Sequence, residues 1–77
     1  MGANLEISGH ARRRMASRSI SDEEVLLTVN NPDFTRPGDY GATNRYRSLH
    51  SRLIRVTVGQ GLEGAQRVVI TVALRVR

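Results

Sequence analysis

Seventy-seven residues are enough for one domain and too few for two, and a chain of this length buries only ~60% of its unfolded surface. Twelve basic residues, all of them arginine, stand against seven acidic ones, so the net charge is +5 and an anionic partner is favoured: nucleic acid, an acidic protein or a membrane surface. Cysteine is absent, which excludes disulfides and thiolate metal sites, and no apolar run approaches the ~20 residues of a membrane helix.

Met1 to Gly9 lacks the basic-then-apolar order of a signal peptide, so a soluble cytoplasmic protein is expected. The all-arginine bias adds a chemical hint, because guanidinium forks make bidentate contacts to phosphate that ammonium groups cannot.

Asn4 to Ile7 reads as a short first strand. Ser8 fits a helix N-cap, and a helix is predicted over Gly9 to Arg18 with Ala11 and Met15 facing inward. His10, Arg14 and Arg18 recur every four residues and share another face. Ser21 followed by Glu24 is a capping box, with Ile20 as hydrophobic staple, so a second helix is predicted over Asp22 to Asn30. Its acidic first turn suits the helix dipole, and Val25, Leu26 and Val29 form its expected inward stripe. Asn31-Pro32 ends it.

Asp33 to Arg36 is expected to be extended with Phe34 buried, and Arg36 to Thr43 to be a loop. Strands are predicted over Asn44 to Leu49 and Arg52 to Val58, joined by a tight turn at His50-Ser51. The longest β-type run is Gln66 to Arg77. Period-two alternation places Val68, Ile70, Val72, Leu74 and Val76 on one dry face of it. The predicted architecture is a single α+β domain over residues 1–77. Two N-terminal helices cover one face of a three- to four-stranded antiparallel sheet. Several of Arg45, Arg47, Arg52, Arg55, Arg67, Arg75 and Arg77 are expected on the uncovered face, because a covered face does not tolerate unpaired charge.

Two constellations carry chemistry. The sheet arginines Arg45, Arg47, Arg55 and Arg75, with Tyr46 for stacking, form a candidate nucleic-acid-binding set. Edge protection and solubility would produce the same arginines. The row His10, Arg14, Arg18 is a candidate catalytic set: a neutral imidazole can take a proton, and the two arginines can hold a phosphate. The competing reading makes His10 a helix-start residue and leaves the arginines solvated or paired with Asp22 and Glu23.

Other motifs fail on context. Gly59, Gly61 and Gly64 spell G-x-G-x-x-G, but a strand follows them instead of a helix, so a hairpin loop is expected. A helix-turn-helix would send Asp22, Glu23 and Glu24 toward phosphates. The two histidines match no metal-ligand spacing, and neither a metal nor a cofactor is expected.

The run S-G-H-A-R-R-R-M-A-S-R-S-I-S-D-E-E-V-L-L-T-V-N-N-P-D, Ser8 to Asp33, resembles a small bacterial family of uncharacterised function. Its pattern is H-A-x-x-R-x-x-x-R, an I-S-x-E-E-V helix start and N-P-D, followed by a sheet. His10, Arg14, Arg18, Ile20 and Pro32 fall on that pattern, and Ser19 stands where the family often has glycine. The family is usually grouped with the RelE-like toxins, compact ribonucleases of toxin–antitoxin modules. The resemblance implies a RelE-like fold and RNA as substrate, cut by attack of a ribose 2′-hydroxyl on its phosphate. His10 would act as base or acid, with Arg14, Arg18 and a sheet arginine such as Arg47 on the phosphate, and an acidic antitoxin-like protein as partner. The function expected is thus a metal-independent endoribonuclease toxin or a degenerate relative. The alternative is a non-catalytic nucleic-acid-binding or protein-interaction module on the same fold.

Overall fold

The computed structural model describes residues 5–60 and 67–75. In chain order the elements are β1 (Leu5–Ile7), α1 (Gly9–Arg18), α2 (Asp22–Asn30), β2 (Phe34–Pro37), a single 3-10 turn at Asp39–Gly41, β3 (Thr43–Leu49), β4 (Arg52–Gln60) and β5 (Arg67–Arg75).

Both helices start where the side chains demand it. Ser8 caps α1 by accepting from the Ala11 amide. Ser21 caps α2 in a full capping box: its hydroxyl accepts from the Glu24 amide, and the Glu24 carboxylate accepts from the Ser21 amide. Ile20 and Val25, the staple pair, are both buried. α1 ends with Ser19 in the left-handed region, φ 56° and ψ 48°, while the Ile20 amide reaches back to the Met15 carbonyl. That closure is the reason a glycine suits this position.

The sheet has five strands in the order β1-β5-β4-β3-β2. It is larger than the predicted three or four strands and it is mixed. β2, β3, β4 and β5 are antiparallel neighbours, whereas β1 lies parallel to β5, with Leu5 opposite Arg67 and Ile7 opposite Val69. The expectation of a purely antiparallel sheet overlooked that α1, α2 and the intervening strands together supply the long crossover a parallel pair requires.

Both helices sit on one face. α1 packs mainly on β5, and α2 on β3 and β4. Ala11, Met15, Ile20, Val25 and Val29 meet Ile54, Val56, Val58, Val69 and Val72 in one core. Two expected helix and loop positions differ. Leu26 is 43% exposed, and Thr28 takes its place in the interior with its hydroxyl bonded to the Glu24 carbonyl. Phe34 is 41% exposed on the other side of the sheet.

The dry face of β5 also needs correction. Thr57 pairs with Thr71 but Val58 pairs with Val69, so Ile70 is an extra residue, a β-bulge. The bulge inverts the alternation. Val72 and Leu74 face the helices as expected, yet N-terminal to the bulge it is Val69 that is fully buried, while Ile70 is 44% exposed. Val76 and Arg77 lie outside the described residues, as do Gly61 and Gly64 of the glycine motif.

Candidate functional site

The register divides the sheet residues cleanly. Arg45 pairs with Val56 and Arg47 with Ile54, so both arginines project toward the helices. Tyr46 pairs with Arg55, and Asn44 with Thr57, on the face that no helix covers. The alternation in Asn44-Arg45-Tyr46-Arg47 carries this split, once the buried Ile54 and Val56 fix which side is inner.

The arginines on the helix side are structural. Arg45 donates to the Val29 carbonyl and Arg47 to the Asn31 carbonyl, at the C-terminal end of α2. Arg52 donates to the Arg18 and Ser19 carbonyls at the end of α1 and pairs with Glu24 at 2.8 Å. Helix C-termini leave four carbonyls without intrahelical partners and carry partial negative charge, and guanidinium groups answer both needs. This corrects the expectation that these cations share the open face: a covered face accepts an arginine when helix ends supply acceptors. Glu24 feels the same network. The hydrogen bond from the Ser21 amide, with Arg52 beside it, holds its carboxyl below the ordinary range against the opposing effect of burial.

The open face carries a different set. Phe34 and Tyr46 stack with ring centroids 4.6 Å apart and planes 10° apart, and the Arg36 guanidinium lies 5.5 Å over the Phe34 ring. Arg55 continues this row on β4. Its Nε is buried, and its side chain makes no hydrogen bond or ion pair among the described residues. It lines a groove of about 430 Å³ with Asn44, Thr57, Thr71 and, at the rim, Asp39 and Tyr40. The Thr57 hydroxyl donates to the Asn44 side-chain carbonyl at 2.6 Å, which fixes the amide with its NH₂ free to donate.

The predicted helical row lies elsewhere. His10 and Arg14 are exposed and Arg18 is half-buried. Arg12, on one flank of α1, pairs with Asp22 of α2 at 2.8 Å. His10, Arg13, Arg14 and Ser17 occupy the opposite flank and line a shallow depression there. The structure therefore does not bring His10 together with the sheet arginines: one group is in the helix layer, and Arg55 is beyond the sheet. Arg75 ends β5, and its side chain is outside the described part. Sequence reasoning named Arg55 and Tyr46 but missed Phe34, Arg36 and Asn44 as open-face residues. Phe34 was hidden because a lone aromatic in a short strand is ordinarily core.

A family model described as a domain of unknown function, DUF4258, matches residues 7–73. The chain belongs to the DUF4258 family. The match spans both helices, β2 to β4 and most of β5, and takes in only the last residue of β1. No curated protein and no solved structure matches the chain. Among the described residues of this DUF4258 domain there is no group of three or more His, Asp or Glu side chains suited to a metal ion, and no helix long and apolar enough to cross a membrane.

Proposed function

We propose that the chain binds single-stranded RNA across the helix-free face of its sheet, as a non-catalytic relative of the RelE-like toxins. The observation that carries this is the row Arg36, Phe34, Tyr46, Arg55, which runs across three adjacent strands. An exposed aromatic ring receives bases without sequence preference, here Phe34 at 41% exposure backed by the buried Tyr46, and an unpaired guanidinium nearby receives phosphate. The two-helix layer on one side of the sheet supports the RelE-like grouping, and the net charge of +5 supports a polyanion.

The test is binding of a fluorescent single-stranded RNA as salt is varied. Affinity should fall steeply with salt, and Phe34→Ala and Arg55→Ala should each weaken it, by roughly five- to a hundredfold for the aromatic. Salt-independent or absent binding overturns the reading.

A second reading is RNA cleavage, in which His10 serves as base or acid with Arg14 on the phosphate. It is favoured by one observation: His10 is exposed and has no hydrogen-bond partner among the described residues. The substrate would then lie along the flank of α1 instead of in the groove, and an acidic antitoxin-like protein would compete for the same cations. Expression of the wild-type chain and of His10→Ala in bacteria, with RNA incubated with each purified protein, separates the two readings. Growth arrest and cleavage that vanish in His10→Ala support the toxin, and intact RNA with unaffected growth removes it.

A further inference from the structure

The groove beside Tyr46 has two chemically different ends. Arg55 supplies an unpaired cation at the floor. At the rim, the Asp39 carboxylate has no hydrogen bond or ion pair among the described residues. Two large side chains line the same groove. One is Ile70, which the bulge turns out of the core and lays over Gly59, where an added Cβ would meet its Cδ1 at 2.8 Å. The other is Tyr40, whose ring is fully exposed. Tyr40 is held at φ 54° and ψ 39°, a left-handed conformation that residues with a Cβ seldom adopt. A backbone outlier that displays a bare aromatic ring at the mouth of a groove points to a flat ligand.

The polar atoms narrow the choice. A carboxylate only accepts, and with two oxygens it suits two adjacent donors. Among the four RNA bases, guanine alone presents them, as N1–H beside the exocyclic N2 amine. Adenine and cytosine place one donor group next to an acceptor, and uracil sets its single N–H between two carbonyls. Guanine O6 adjoins N1 and needs a donor. The Asn44 amide, its carbonyl already taken by Thr57, offers its NH₂ from the strand next to Asp39's turn. The volume of about 430 Å³ falls within the ~300–1,000 Å³ usual for small-ligand sites.

We infer that this groove holds one guanine nucleotide of the bound strand, its base edge on Asp39 and Asn44, its face against Tyr40 and its phosphate at Arg55. This rests on the reading of the open face as an RNA surface. The guanine then gives a preference to a platform that would otherwise take any base.

The experiment compares UUGUU, UUAUU and UUUUU RNAs by fluorescence anisotropy, with GMP and AMP as free-nucleotide arms. UUGUU should bind about tenfold more tightly than the other two. Asp39→Asn, isosteric and on an exposed turn, should erase that preference, so that UUGUU and UUAUU bind the variant equally. Tyr40→Gly keeps the left-handed backbone and removes the ring, so it should weaken UUGUU. Equal affinity for all three RNAs overturns the guanine site and leaves RNA binding standing. Binding of GMP over AMP that depends on Asp39, without RNA binding, overturns the RNA reading and keeps the site. Loss of the preference in Arg55→Ala but not in Asp39→Asn also overturns the base assignment.

Discussion

The Ser8 hydroxyl donates to the Ile70 carbonyl at 3.1 Å while accepting from the Ala11 amide at 3.1 Å. One side chain thus joins the start of α1 to the bulged residue of β5, 62 positions along the chain. The Ser8 amide adds a bond to the Val69 carbonyl. Ser8→Ala should therefore cost about 1–2 kcal/mol, at the upper end for an N-cap, because a carbonyl partner is lost with the cap. Urea denaturation measures it, and Ser8→Thr, which keeps the hydroxyl, should recover most of the loss.

The bulge predicts opposite outcomes for neighbouring residues. Val69→Ser should destabilise by roughly 1.5–3 kcal/mol, the transfer value of a fully buried aliphatic side chain, with more if a cavity remains. Ile70→Ser, at a position 44% exposed, should cost well under half of that. A larger cost at Ile70 than at Val69 would mean that the alternation runs through β5 without interruption.

Glu24 sets an acid dependence. Its carboxyl is held below its ordinary value of 4.5, first by the Ser21 amide and then by Arg52. The unfolded chain takes up that proton more readily than the folded one, so the contribution is complete above 4.5 and is lost as pH falls through the lower folded value. Urea midpoints measured from pH 6 down to pH 3 should fall in the wild type. In Glu24→Gln the acid limb should be shallower, on a lower plateau at neutral pH.

The arginines should separate into two phenotypes. Arg45→Ala removes the partner of the Val29 carbonyl and should lower the unfolding midpoint by an amount equivalent to about 1–3 kcal/mol, with RNA affinity per folded molecule unchanged. Arg55→Ala breaks no bond to the described residues and should leave the midpoint within about 0.5 kcal/mol while weakening RNA binding. Midpoints and anisotropy on the same preparations decide the matter.

Local signals read well in this sequence. The capping box Ser21–Glu24, the cap at Ser8 and the inward pairs Ala11–Met15 and Val25–Val29 placed both helices. Even the glycine-free turn at His50-Ser51 is real, with φ of 53° and 65°. What was not legible depends on pairing. The bulge arises from the match between β4 and β5, and period-two counting along β5 cannot see it. The parallel β1–β5 contact joins the two most distant elements. The placement of Arg45 and Arg47 depends on helix ends that no local window contains, so a rule about unpaired charge sent them to the wrong face. For the same reason the candidate site was glimpsed only through Tyr46 and Arg55.

The sheet order has a consequence for biosynthesis. β5 lies between β1 and β4 and forms the floor under α1, yet it is the last of these strands to be translated. Until residues 67–75 leave the ribosome, α1 lacks the strand it packs on most, and β1 lacks the strand it pairs with. Docking of α1 must wait for β5, and a nascent chain arrested before that strand would display the greasy side of α1 to chaperones and proteases.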